Sequence, residues 1–173
     1  MGAEGGVRAS WELDMSEAIA SIGVGRLGQV IVARLAPGSD LLESIEEIAR
    51  REGIRSGVIL SGAASLSQAT LRNVRHLPKE LPITDEDRVF VRKEGALELL
   101  AISGNISEQN GGISIHAHIT ISSGEEDGLA YGGHLIKGCT IFSLGELIIG
   151  EIEGVRLVRK YDEPTRGPQL FVR

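Results

Sequence analysis

Only one segment of this 173-residue sequence has the spacing of an amphipathic helix, and strand patterns occupy most of the remainder. In residues 40–53 apolar side chains recur at helical intervals, at Leu42, Ile45, Ile48 and Ala49. Asp40 is a suitable N-cap, Glu43 three residues later would complete a capping box, and Gly53 lies where a C′ glycine ends a helix. The sequence therefore predicts one principal helix.

The rest of the sequence consists of short β-branched and apolar runs separated by glycine-containing turns. The segment QVIVARL at 29–35 is typical of a strand, and roughly eight or nine such segments can be counted. Runs 56–60 and 66–74 are predicted as separate strands around a small-residue corner at 62–65. Together the patterns predict an α+β fold, with a mainly antiparallel sheet flanked by one principal helix in a single domain.

Composition is that of a soluble globular protein, with 42% hydrophobic and 24% charged residues. Aromatic residues make up only 3%, so the core must be built from aliphatic side chains. The single cysteine, Cys139, excludes an intrachain disulfide, which fits a reducing compartment. Because the sequence also has no long apolar run and no signal-peptide pattern, we predict a cytoplasmic protein without a membrane segment.

The charge balance argues against direct binding to duplex DNA. The formal net charge is −6, and lysine and arginine are scattered rather than gathered in a basic run. Proteins that bind DNA through their own surface usually present a basic patch or stripe. A steep salt dependence of binding to duplex DNA would contradict this expectation.

Three of the four histidines lie between residues 111 and 134. Isoleucine and alanine alternate there with polar residues over 113–122, so His116 and His118 project from the same face of a predicted strand. A turn at 123–128 could bring His134 alongside. Three imidazoles with an open position suit a divalent transition metal, with zinc as the favoured ion. The alternative is an incidental polar strand face.

Several motifs occur in an order that resembles the plants and prokaryotes conserved (PPC) domain. They are QVIVARLAPGSD at the helix start, LELLAISGNIS, HAHITIS and YGGHLIKG. The resemblance covers about residues 26–161 and implies an α+β domain that assembles into homotrimers. In single-domain prokaryotic members, often labelled candidate DNA-binding proteins, it implies that the histidines corresponding to His116, His118 and His134 are metal ligands. We expect a flexible leader at 1–25, the PPC-like domain at 26–161 and a C-terminal tail at 162–173.

Plant members of the family carry AT-hook segments that contact DNA, while the domain itself associates with partners. An AT-hook needs a Gly-Arg-Pro core flanked by basic residues, so that it fits the narrow minor groove. This sequence offers only the permuted order Arg166-Gly167-Pro168. The AT-hook motif, through which the plant proteins contact DNA, is therefore absent from this sequence.

Two hypotheses about function follow, and whether the chain is an enzyme stays open between them. The first is a metal-binding, homo-oligomeric regulatory module that acts through a protein partner or small ligand, in which Asn105 orients a ligand histidine or bound ligand. Alternatively, Asn105 is only a turn residue. The second is a metal-dependent zinc hydrolase or lyase of a small substrate, with Glu98 as general base. Glu98 could equally be a sheet-edge or interface carboxylate.

Overall fold

The computed structural model describes residues 18–173, which form one eight-stranded sheet and one α-helix. Residues 1–17 of the predicted leader lie outside the described part. The helix α1 is Leu41–Arg51. The strands are β1 Arg26–Leu35, β2 Gly57–Val74, β3 Arg88–Gln109, β4 Gly112–Ser123, β5 Leu129–Leu135, β6 Thr140–Glu153, β7 Leu157–Asp162 and β8 Gly167–Val172.

The predicted α+β class, with a mainly antiparallel sheet, is wrong. Of the described residues 62% are in strands and 11% in helices, and the sheet is mixed because β7 runs parallel to β3, where Glu108 is opposite Val158. The sequence predicts short, separate strands here, whereas β2 is one continuous strand that includes the predicted corner at 62–65. There Gly62 is opposite Leu147 of β6. The result is a sheet-rich fold with one attached helix.

Strand order in the sheet is β1-β6-β2-β5-β4-β3-β7-β8, and β2 also pairs with β3. The strands β2, β5, β4 and β3 therefore form a closed circuit of hydrogen-bonded neighbours. Register shifts between Leu66 and Gln68 in β2, and between Leu99 and Ala101 in β3, interrupt the regular pairing of these long strands. The circuit places β4 and β5, which carry the histidines, beside the second half of β2.

The core is aliphatic, as the scarcity of aromatic residues predicts. Leu41, Ile45 and Ala49 of α1 are fully buried, and they pack with buried side chains from the sheet. The largest of these include Leu66, Leu71, Leu97, Ile106, Ile121, Ile141, Leu147 and Ile149, and Ile54 joins them from the segment between α1 and β2. No helix among residues 18–173 is long and apolar enough to cross a membrane.

The N-cap and the C-terminal glycine predicted for the helix are confirmed, but the predicted capping box is not formed. The Asp40 side chain accepts a hydrogen bond from the backbone N–H of Glu43 at 3.1 Å, and Gly53 follows the helix with φ +71°. The carboxylate of Glu43 binds Lys137 rather than turning back to complete the capping box. The Asp40 side chain also accepts a hydrogen bond from the backbone N–H of Gly138 at 2.8 Å, and this bond links the start of α1 to the segment before β6.

The C-terminal residues form a strand hairpin. β8 pairs antiparallel with β7, so the predicted tail at 162–173 contains a full strand. This hairpin matters for the site, because β7 carries Arg159 and the turn before β8 carries Arg166.

The single cysteine, Cys139, is fully buried, and burial raises the pKa of its thiol to about 11.

Candidate metal centre

The histidines are brought together by the β4–β5 hairpin. On β4, Ala117, Ile119 and Ile121 are buried in the core, which leaves the polar set of side chains on the opposite face. His118 is directly opposite His134 of β5 in the antiparallel register. The predicted turn forms at 123–128, where Asp127 and Gly128 adopt φ values of 54° and +79°. His116 and His118 therefore meet His134 on one face.

The distances suit a shared metal ion. The Nε2 atoms of His116 and His118 are 3.3 Å apart, and one potential ligand atom from each of the three histidines lies within 4.8 Å of the others. Tetrahedral zinc with Zn–N bonds of about 2.0–2.1 Å separates its ligand nitrogens by about 3.3–3.4 Å. The His116–His118 pair of nitrogens already has this spacing, and the His134 nitrogen lies within 4.8 Å of both. The donor set therefore fits a zinc-sized cation.

Arg159 of β7 contacts this cluster, and Asn105 of β3 lies next to it. Asn105 is opposite His116 in the β3–β4 register, and its Oδ1 accepts from Nη2 of Arg159 at 3.4 Å. The same Nη2 is 2.8 Å from Nδ1 of His116. Asn105 is thus linked to the histidine cluster through Arg159, and its orienting role stays a prediction.

The contact with Arg159 has a consequence for metal binding. A guanidinium N–H can only donate, so Nδ1 of His116 accepts, and the neutral ring then carries its proton on Nε2. A metal on Nε2 requires the proton on Nδ1 instead, which then needs an acceptor. Arg159 must therefore leave Nδ1 when His116 binds a metal through Nε2.

Burial and neighbouring cations keep two of the imidazoles neutral. The pKa of His134 is lowered to about 4, chiefly by burial and then by Arg72. Burial, followed by Arg159, also lowers the pKa of His116. A lowered histidine pKa means that the ring is unprotonated at neutral pH, which is the state that can bind a metal.

Glu98 is not brought to the histidines. It is exposed on β3 opposite Ser122 and Ser65, and it lines a separate pocket of about 540 Å³ that includes Phe142. In the register of β3, His118 is opposite Ser103, five residues further along, which is about 16 Å of extended strand. Glu98 therefore has no structural link to the proposed metal ligands.

A second pocket, of about 600 Å³, adjoins His116 and His134. Arginines from four separate places in the chain line it: Arg72, Arg88, Arg159 and Arg166. The sequence interpretation missed these residues. Arg72 is directly opposite His134, but only the pairing of β2 with β5 shows this.

Comparison with known proteins shows which family this chain belongs to. The profile of the Plants and Prokaryotes Conserved (PCC) domain, the family abbreviated PPC above, matches residues 23–153. The chain belongs to this family. The predicted resemblance is therefore confirmed, and the PCC domain includes β4, β5 and all three clustered histidines.

Relatives of this PCC-domain chain differ in length and description. It is 32% identical over 144 residues to the bifunctional protein GlmU of Synechococcus sp. (strain JA-3-3Ab); the match covers 83% of this chain but 20% of that protein. The chain thus spans about a fifth of the length of the curated relatives it matches.

Two solved structures show the same fold. A metal-containing protein from Archaeoglobus fulgidus superposes with a TM-score of 0.72 and 26% identity, covering 87% of this chain and 99% of that one. A candidate DNA-binding protein from Ralstonia eutropha JMP134 superposes with a TM-score of 0.64 and 27% identity, covering 80% and 88%. The PCC-domain fold is therefore shared by proteins described in different functional terms.

Proposed function

We propose that this PCC-domain chain is a metal-binding, homo-oligomeric module that holds a divalent transition metal, zinc, through His116, His118 and His134. The observation that carries the proposal is the 3.3 Å separation of the Nε2 atoms of His116 and His118, with His134 completing the cluster. Three imidazoles with an open fourth position are typical of zinc sites that bind a further ligand. The metal-containing relative from Archaeoglobus fulgidus supports the same assignment.

Zinc titration of chelator-treated protein tests this proposal. We expect one zinc ion per chain, because the three histidines form a single cluster. At a free zinc concentration 100 times the dissociation constant, binding should stabilise the folded state by about 2.7 kcal/mol. The measurement is calorimetric titration together with thermal unfolding. Zinc that produced no stoichiometric binding and no rise in melting temperature would contradict the proposal.

Exposed apolar side chains support self-association into the homotrimer that the family resemblance implies. They lie on β1, β2 and β6, which are neighbours in the sheet. Val32 is 75% exposed and Phe142 65% exposed, and the others are Leu27, Val30, Leu60 and Leu144. Apolar surface of this kind, on adjacent strands, is typical of protein–protein contacts.

Val32→Glu is expected to disrupt this assembly, because a carboxylate would be buried without a partner at the apolar contact. We expect the mass in solution, measured by light scattering, to fall from three chains to one. The control is Leu77→Glu, which adds the same charge at a side chain that is 85% exposed in the loop after β2. Retention of the trimer by Val32→Glu, or its loss in the control, would contradict the assigned surface.

The module would act in the cytoplasm through a protein partner or small ligand, in a transcription-associated role. The candidate DNA-binding relative from Ralstonia eutropha favours an association with transcription. A formal net charge of −6 disfavours direct contact between this chain and duplex DNA.

A zinc-dependent hydrolase or lyase of a small substrate is the second candidate function. The pocket of about 600 Å³ beside His116 and His134 favours it, because that volume can hold a small molecule. Glu98 lies elsewhere, and no carboxylate lines this pocket within the described part of the chain. A zinc-bound water would therefore need a histidine or a substrate group as general base, which leaves binding better supported than catalysis.

A further inference from the structure

The pocket beside the histidines is lined by positively charged side chains, although the protein as a whole has a net negative charge. Among the described residues its lining includes four arginines and neither aspartate nor glutamate, although the whole chain has 24 acidic against 18 basic residues. The arginines come from β2, the start of β3, β7 and the β7–β8 turn. Chain folding has therefore concentrated positive charge at this one concave surface.

Three of these four arginines, Arg72, Arg159 and Arg166, form no ion pair within the described residues, and Arg166 is the exposed one of the three. Among residues 18–173, neither Arg72 nor Arg159 forms an ion pair, and both are partly buried. The Nε of Arg159 is buried and has no hydrogen-bond partner in the described part of the chain. Its Nη2 contacts only the neutral acceptors His116 and Asn105. A desolvated guanidinium without a counter-charge is costly, so an anion supplied from solution would stabilise this arrangement.

The other two arginines are already engaged at the rim. Arg88 pairs with the exposed carboxylate of Asp85 at 2.7 Å, and Arg166 donates to the backbone carbonyl of Leu81 at 3.1 Å. They add positive potential and help to hold the loop around residues 81–83 against the β7–β8 turn. Arg72 and Arg159 are therefore the two partly buried guanidinium groups of the pocket that form no ion pair within residues 18–173, and they are the ones placed to bind an anionic ligand directly.

We propose that this pocket binds a small molecule through an oxyanion group, a phosphate or a carboxylate, recognised by Arg72 and Arg159. The planar donor fork of arginine matches both groups. Pro82, Ile83 and Ile115 supply an apolar wall for the carbon part of such a molecule. The inference rests on the proposed function only in placing the oxyanion next to a metal; the arginine contacts form with or without zinc.

The test is calorimetric titration of chelator-treated protein with inorganic phosphate and, in a separate arm, with malonate. The stronger ligand identifies the oxyanion class. We expect Arg72→Gln and Arg159→Gln each to weaken binding by about tenfold or more, the usual loss for a hydrogen bond to a charged group. The control Arg51→Gln removes the same charge from the exposed end of α1 and should leave binding unchanged. Arg72→Lys should keep part of the affinity, since it retains the charge without the fork.

The outcomes separate this inference from the proposed metal function. Binding of neither anion, or an equal loss in Arg51→Gln, would overturn the inference. So would binding that requires zinc and ignores both pocket arginines, although the metal proposal would then stand. Chelator-treated protein that binds phosphate through Arg72 and Arg159 but never takes up zinc would support the anion pocket and overturn the metal proposal. Thermal unfolding confirms that each variant is folded.

Discussion

Gly104→Ala is expected to destabilise the protein by about 1–3 kcal/mol and to weaken zinc binding by about tenfold or more. A Cβ at position 104 would overlap the backbone oxygen of His116 and lie 2.7 Å from Cα of Ala117. These are backbone atoms of β4, so the added methyl group cannot be accommodated by rotating a side chain. β3 and β4 must separate locally, and His116 and His118 would move with β4.

Chemical denaturation and zinc titration of the same variant measure the two effects. Gly112→Ala is the matched control, because it lies at the start of β4 and its added Cβ would meet only Gln109 O, at 3.6 Å. We expect the control to keep near-normal stability and zinc affinity. If Gly104→Ala behaved like the control, the close spacing of β3 and β4 would not determine the geometry of the histidines.

The histidine cluster could be predicted because its determinants are local in the sequence. The alternation around His116 and His118 fixes their common face, and a short turn returns the chain to His134. Arg72 and Arg159 could not be found in this way. Each lies on a strand distant in sequence, and only the closure of β2 onto β5 and the return of β7 beside β3 place them near the cluster.

The fold was predicted less well than the clustering of the three histidines, for a physical reason. The small-residue segment that contains Gly62 was interpreted as a corner, whereas Gly62 lies inside the long strand β2, where a neighbouring strand approaches closely. A Cβ at Gly62 would be 2.7 Å from Cγ2 of Ile102. Such glycines permit packing between strands rather than ending them, and the sequence pattern alone does not distinguish the two uses.

The position of the charged residue Glu98 within an otherwise apolar strand segment is also explained by the geometry of the sheet. It lies between Leu97 and Leu99, both buried, so alternation along β3 places its side chain on the exposed face. The carboxylate within this apolar run is therefore explained by a strand with one solvent-facing side, and no catalytic role is needed to account for it. The helix α1 was predictable because Asp40 and Gly53 mark its ends by local chemistry.

His116→Ala/His118→Ala is expected to lose essentially all bound zinc while remaining folded and oligomeric. The substitutions remove two of the three ligands from partly exposed positions, and the hydrophobic core on the other face of β4 is untouched. A single remaining imidazole binds zinc far too weakly to retain it during dialysis. His76→Ala is the control, because His76 is the fourth histidine and pairs with Asp87 at 2.9 Å, outside the cluster.

The zinc-to-chain ratio of these three proteins after equilibrium dialysis, measured by elemental analysis, tests the shared metal site most directly. We expect about one zinc per chain in the unsubstituted protein and in His76→Ala, and close to none in the double variant. A double variant that kept its full zinc content would contradict the assignment of His116, His118 and His134 as the metal ligands.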